Sequence, residues 1–187
     1  MNDNLDGLLS PFLRKQRMGA AAPFIGGRVL DFGCGIGLVC DMVDANKYAG
    51  VDIDARVIEI ARSRNPNGRF YTLDQMDSLE GEVFDTVVGL AIIEHLPDPL
   101  RFLNDARRRL APGGRLVLTT PNPILDWAHG LGSRIGIFAR ESHDEHQSLM
   151  NRKQLADAGD RTGLRMTTFR RFLFGANQLA VFESGEK

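Results

Sequence analysis

Short apolar runs alternate with stretches of helical periodicity along most of the chain. Val29 to Phe32 is apolar except for Asp31 and runs straight into glycines. Tyr48 to Ile53 is a second such run. Asp54 follows as the N-cap of a helix whose Val57, Ile58 and Ala61 share one face, and Asn65-Pro66 stops it. Arg69 to Leu73 is a third short run, and Phe84 to Ile93 is nearly continuous, as in a strand covered on both faces. Asp98 caps a helix with Pro99 in its first turn and Leu100, Leu103, Ala106 or Arg107, and Leu110 at helical spacing, ended by Pro112-Gly113-Gly114. Arg115 to Thr120 is β-branched and apolar. Arg152 to Thr162 predicts a helix closed by Gly163, followed by the runs Leu164 to Phe174 and Gln178 to Phe182. Strands alternating with helices predict an α/β fold, doubly wound, with a mostly parallel sheet and helices on both faces.

Two segments lie outside the alternation. Leu8 to Ala22 predicts an N-terminal helix, and residues 1–27 as a whole a cover over one sheet edge or the mouth of a site. Residues 121–150 form a long insertion rich in glycine and in apolar side chains such as Trp127 and Phe138. Insertions at the carboxyl ends of strands form acceptor sites or lids, or loops packed on their own side chains.

Size and charge narrow the function classes. The 187 residues suit a single domain, 1–187, and a net charge of −1 offers no global basic field for nucleic acid or anionic lipid. Two cysteines are too few for a disulfide scaffold and fit a reducing compartment. No run approaches the ~20 apolar residues that span a bilayer, and Met1 to Gly7 is polar, so a cytoplasmic location is expected.

The chemistry concentrates in Val29-Leu30-Asp31-Phe32-Gly33-Cys34-Gly35-Ile36-Gly37, followed by a helical stretch expected over Leu38 to Asp44. Glycines at alternate positions let backbone turn tightly and approach a ligand. The spacing G-x-G-x-G differs from the G-x-G-x-x-G that grips a dinucleotide pyrophosphate, and Asp31 would repel a diphosphate. Asp52 closes the second run, about 20 residues past the loop, where a carboxylate accepts hydrogen bonds from a ribose diol. Asp74 closes the third and could reach an adenine amino group; a solvated loop acid is the alternative for each.

Together, VLDFGCGIG, GVDID, FDTVVGLAIIEHLPDP and LAPGGRLVLTTPN resemble the class I S-adenosylmethionine-dependent methyltransferases over nearly the whole chain. The likeness is nearest the type 11 branch, which includes the ring O-methyltransferases of quinone biosynthesis. The resemblance implies a Rossmann-like seven-stranded sheet in the order 3-2-1-4-5-7-6 with the last strand antiparallel. It implies S-adenosylmethionine as cofactor and S-adenosylhomocysteine as product. Gly33, Gly35 and Gly37 would line its methionine part, Asp52 would hold the ribose, Asp74, Gln75 and Met76 would flank the adenine, Leu90 would touch the cofactor, and Asp31, Cys34 and Ile53 would complete the cofactor-binding set, with the Cys34 side chain pointing into the core. An N-terminal arginine, Arg14 or Arg17, would meet the cofactor carboxylate.

Glu94 and His95, just past the fourth run, are the candidate catalytic residues. Each suits a general base for the acceptor, or a structural role capping a turn or packing on the sheet edge. Some relatives bind a divalent metal through E-x-x-E-H here; this chain has Ala91 in place of the first glutamate, so a set of Glu94, His95 and His146 is disfavoured and no metal is expected. Arg107-Arg108-Arg109 reads as a solvated helix face. The expected function is methyl transfer to a small-molecule, lipid-linked or sugar acceptor, on oxygen or nitrogen. A catalytically inactive cofactor-binding partner subunit is the alternative, and RNA methylation a more distant one.

Overall fold

The structure, a computed structural model, describes residues 10–123 and 149–184. Its centre is one seven-stranded sheet in the order β3-β2-β1-β4-β5-β7-β6. The strands are β1 (Val29–Phe32), β2 (Tyr48–Asp52), β3 (Arg69–Thr72), β4 (Phe84–Leu90), β5 (Leu110–Pro121), β6 (Leu164–Phe172) and β7 (Asn177–Ser184). The first five are parallel and β7 runs antiparallel to both β5 and β6, as the resemblance implied. The helices are α1 (Ser10–Ala21), α2 (Ala55–Arg64), α3 (Pro99–Arg108) and α4 (Arg152–Arg161).

Both sheet faces are covered because the strand residues alternate between two apolar layers. Leu30, Phe32, Val51, Val87, Leu116 and Leu118 pack on one side with Leu103 and Ala106 of α3 and Leu155 of α4. On that side Phe32 meets Phe102 edge-on at 5.3 Å. On the other side Val29, Tyr48 and Val88 pack with Ile58 and Ala61 of α2, and Val117, Leu179 and Val181 pack with Ala21 of α1. The caps form as expected at Asp54 and Asp98, whose carboxylates accept the amides of Arg56 and Arg101.

Several expected boundaries change. No α-helix forms over Leu38 to Asp44; the stretch is a series of turns with a 3₁₀ segment at Cys40–Met42. Only ten residues separate Gly37 from β2, and the Asp44 carboxylate takes the Asn46 amide at 3.1 Å to start another 3₁₀ turn. The expected seven-residue helix would hold only about two turns, and the Asp44 cap turns the chain into β2 instead. The third helix ends at Arg108, so Leu110 is not helical; it opens β5 and pairs with Phe84, with Pro112 to Gly114 forming an irregularity within the strand. β4 stops at Leu90 rather than Ile93, because Ala91 takes a φ of 57° and breaks the extended run. β6 likewise stops at Phe172, where Leu173 and Phe174 both have positive φ and turn the chain into β7.

The expected N-terminal cover is present as α1 followed by a 3₁₀ turn at Ala22–Phe24. Most of the 121–150 insertion, with Trp127, Phe138 and His146, lies outside the described residues.

Candidate functional site

The carboxyl ends of β1, β2, β3 and β4 gather the sequence-predicted residues along one edge of the sheet. The glycine loop crosses this edge held by β2: the amides of Gly33 and Cys34 both donate to the Val51 carbonyl, at 2.8 and 3.1 Å. The Gly35 amide donates to Asp52 Oδ2 at 2.9 Å, and Asp52 Oδ1 accepts the Asp54 amide at 3.0 Å. Asp52 is thereby fixed by two backbone donors while remaining half-exposed, and each oxygen keeps a second lone pair for a ligand.

The loop glycines divide the work that the sequence assigned to them jointly. Gly35, at φ 52°, has open space where a Cβ would be, which suits close approach of a ligand. Gly37, at φ 77°, faces inward instead: a Cβ there would stand 2.8 Å from the Phe70 ring. Cys34 offers a ligand only its backbone, since its side chain is buried beneath Gly50, and burial pushes its thiol pKa well up.

Asp31 is buried, 2% exposed, and accepts the Tyr48 hydroxyl at 2.7 Å. Burial lifts its carboxyl to about 7; the Tyr48 hydrogen bond opposes that rise and the nearby Asp52 adds to it. Its charge acts on the loop from beneath the surface.

Ile53 and Leu73 follow directly on the adjacent strands β2 and β3, and both are exposed, at 82% and 52%. Leu73 was not among the predicted residues; an apolar side chain between a strand end and Asp74 was the available signal. Asp74 stands exposed beside it, and Met76 packs against the core. Gln75 is exposed as well, and its Oε1 is already engaged within the fold, accepting the Thr72 amide at 3.2 Å and Arg62 at 3.4 Å.

The fourth strand's end is built differently. Leu90 is half-buried, and the Ala91 amide donates to Thr119 at 2.8 Å. Ile92 folds back towards the glycine loop, with its Cδ1 3.1 Å from where a Gly33 Cβ would be. His95 is exposed whereas Glu94 is 1% exposed. Burial raises the Glu94 pKa, against the lowering effects of its own backbone amide, Arg17, His95 and Thr120. Its Oε2 has no hydrogen-bond partner, and neither do the buried Thr119 Oγ1, Thr120 Oγ1 and Gln178 Oε1. The Thr120 hydroxyl is near enough to lower the Glu94 pKa yet completes no hydrogen bond of ordinary geometry.

Arg17 of α1 reaches the carboxyl end of the sheet at β7. Its Nε donates to Asn177 Oδ1 at 3.0 Å, and burial lowers its pKa while Glu94 raises it and Arg14 lowers it. The expected arginine face of α3 is only partly solvated: Arg108 pairs with Asp105, but Arg109 donates to the Leu79 carbonyl at 2.9 Å and Arg107 Nε is buried. Among the described residues no three histidine, cysteine or acidic side chains gather as a metal site, and no helix is long and apolar enough to cross a membrane.

A family model described as a methyltransferase domain matches residues 4–168. A protein of Chelativorans sp. (strain BNC1) named ubiquinone biosynthesis O-methyltransferase is 33% identical over 127 residues, covering 64% of this chain and 49% of its own length. One of the same name from Parvibaculum lavamentivorans is 32% identical over 155 residues, covering 75% of this chain and 61% of its own. The chain thus spans between about half and three fifths of the length of these relatives. Among solved structures, an S-adenosylmethionine-dependent methyltransferase from Mesorhizobium loti superposes with a TM-score of 0.67 at 18% identity, over 93% of this chain and 96% of that one.

Proposed function

This chain belongs to the methyltransferase-domain family, and on that premise we propose that it transfers the methyl group of S-adenosylmethionine to a small-molecule acceptor. The observation that carries the proposal is the Asp52 carboxylate, fixed by the Gly35 and Asp54 amides at the mouth of an open glycine turn. Such a carboxylate suits a ribose diol, with Ile53 and Leu73 as apolar walls for the attached base and Asp74 at the rim. The acidic loop suits the positively charged methionine end of this cofactor. No α-helix N-terminus stands behind the loop to favour a diphosphate, which weighs against a dinucleotide.

The cofactor supplies an electrophilic methyl group; the chain's residues hold the acceptor in line with it and accept a proton. Approximation of that kind contributes ~7–11 kcal/mol to lowering the barrier. Glu94, in the turn just past β4, is the proposed general base, with the exposed His95 beside it. The names of the relatives favour a hydroxyl nucleophile on an acceptor with an apolar portion, a class that includes lipid-linked intermediates. A cytoplasmic location and a single domain fit this reading.

Calorimetric titration of ligand-free protein with S-adenosylhomocysteine, with NADH in parallel, tests the proposal. Binding of the first and not the second is expected. A folded, empty protein that ignores S-adenosylhomocysteine would overturn it.

A further inference from the structure

We propose that Asn177 is a positioning residue of the cofactor site: it holds Arg17 by its Nε, so that the two terminal guanidinium nitrogens are free to take the α-carboxylate of S-adenosylmethionine. This rests on the methyl-transfer reading above, and of the two arginines that the resemblance offered it selects Arg17.

The direction of the cofactor follows from Asp52. With the ribose at the end of β2 and the base beyond it at the end of β3, the amino-acid part runs the other way along the sheet's edge, across β1 towards β4, β5 and β7. Its ammonium suits the acidic loop, but its carboxylate does not, because Asp31 and Asp52 repel it. The cation that meets the carboxylate stands on the far side of β4. Helix α1 brings one there. Ala21, one turn after Arg17, is sealed against Val117, Leu179 and Val181, which anchors the helix to β5 and β7. Leu90, at the end of β4, packs both on this cluster and on the one that contains Cys34 of the glycine loop, so helix, strand end and loop are contiguous.

The Arg17 Nε donates to Asn177 Oδ1 at 3.0 Å. Asn177 opens β7 opposite Pro121, at the carboxyl end of β5, and is 4% exposed. The turn before it is tied down by Asn122, whose amide donates to the Ala176 carbonyl and whose Nδ2 donates to the Gly175 carbonyl, both at 2.8 Å. The anchor for Arg17 is therefore itself anchored. The two terminal nitrogens of Arg17 have no hydrogen bond to any described residue. A guanidinium carries its five N–H groups in one plane, and a carboxylate is met best by two parallel ones. Fixing the Nε–H sets that plane and turns the edge formed by the terminal nitrogens to the ligand. An aspartate at this position would fix the plane equally well but would neutralise the charge. The neutral amide oxygen of Asn177 orients the cation and leaves its charge for the ligand.

5′-Methylthioadenosine has the adenosine and thioether of S-adenosylhomocysteine but no amino-acid carboxylate, so it separates this contact from the rest of the site. The experiment is calorimetric titration of the full chain with both ligands, in wild type, N177A, R17M and the double variant. Asn177→Ala is expected to weaken S-adenosylhomocysteine by about three- to tenfold and Arg17→Met by roughly tenfold or more, with methylthioadenosine affinity unchanged in both. In the double variant there is no Nε left to hold, so removing Asn177 should change nothing further and R17M/N177A should bind as R17M does. Two losses that simply add would overturn the proposal. So would an unchanged S-adenosylhomocysteine affinity in N177A, or a parallel loss of methylthioadenosine binding, which would make Asn177 a residue of the fold alone. Asn177→Ser, whose oxygen falls short of the Nε, carries the same comparison if the alanine variant does not fold. Wild type that binds methylthioadenosine as tightly as S-adenosylhomocysteine would overturn the proposal and leave the methyl-transfer reading standing. Wild type that binds neither would reject that reading itself.

Discussion

The two halves of the sheet's carboxyl edge solve the same local problem in opposite ways. On the β1–β3 half, polar groups are satisfied within the fold: Asp52 by two amides, Asp31 by Tyr48, Gln75 by Thr72 and Arg62. Positive-φ backbone there is carried by Gly33, Gly35 and Gly37. On the β4–β7 half, Glu94, Thr119, Thr120 and Gln178 keep unpartnered buried oxygens, and positive φ falls, besides Gly175, on Ala91, Leu173 and Phe174, which bear side chains. One half is pre-formed and relaxed; the other holds strain and unmet polar groups. Such features collect where a ligand completes the site. The difference fits a cofactor half that binds without rearranging and an acceptor half that is finished by its substrate.

The largest expected effect tests whether the relaxed half contains one exception. Asp31 is pre-paired, yet burial lifts its pKa from 3.8 to about 7. A carboxyl with a raised folded-state pKa favours folding most when protonated, so its contribution is fully present below about 4, falls as pH rises, and is lost above about 7. Asp31→Asn keeps an acceptor for Tyr48 but cannot ionise. Its stability should match wild type near pH 4 and exceed it by roughly 3–5 kcal/mol at pH 8, the free-energy equivalent of the shift. Urea unfolding of both proteins across that range checks it. Parallel stability curves would show that Asp31 is solvated well enough to ionise freely.

Gly37→Ala should come next. A side chain at φ 77° costs about 1–2 kcal/mol, and the new Cβ would press on the Phe70 ring at 2.8 Å, adding about 1–3 kcal/mol of overpacking. A destabilisation of roughly 2–4 kcal/mol is expected, measured by denaturant midpoint. Gly35→Ala meets no neighbour and should carry the backbone cost alone, so equal losses in the two variants would contradict the inward and outward division of the loop.

That division also marks how far the sequence reached. The strand order, the caps at Asp54 and Asp98 and the position of Asp52 were legible because each depends on neighbours within a few residues or on the resemblance. Ligand-facing and core-facing glycines were not, since the difference rests on Phe70, which approaches from another strand. The helix expected over Leu38 to Asp44 failed for a reason visible only in hindsight: Asp44 caps a 3₁₀ turn of its own that leads straight into β2. By resemblance, either Arg14 or Arg17 would meet the cofactor carboxylate. The structure places Arg17 against Asn177, 160 positions away, a pairing no periodicity encodes.

Asp52→Ala sharpens the contrast at the cofactor end. Removing a fixed acceptor of ribose hydroxyls should weaken S-adenosylhomocysteine binding by about 1.5–3 kcal/mol, roughly ten- to a hundredfold. The same substitution frees the Gly35 and Asp54 amides, so Asp52→Asn, which keeps one acceptor oxygen, separates loop order from ligand contact. If both variants bind as wild type in calorimetry, the pre-formed half is not the cofactor half.

The smallest expected effect probes the strain on the other half. Phe172 to Gly175 forms a turn closed by the Gly175 amide on the Phe172 carbonyl at 3.1 Å, with φ of 53° at Leu173 and 54° at Phe174. Turns of this hand favour glycine or asparagine, because a Cβ crowds the following carbonyl. Phe174 is fully exposed and joins none of the core clusters, so its side chain contributes no packing to offset the strain. Phe174→Gly should therefore stabilise the chain by about 0.5–1 kcal/mol, the relief of backbone strain less the added freedom of the unfolded glycine. A thermal-unfolding shift upward would show that the acceptor half tolerates strain for which folding alone gives no reason. A shift downward would mean that Phe174 holds the turn through contacts beyond the described residues, and the asymmetry between the two halves would shrink to Ala91 and the unpartnered buried oxygens.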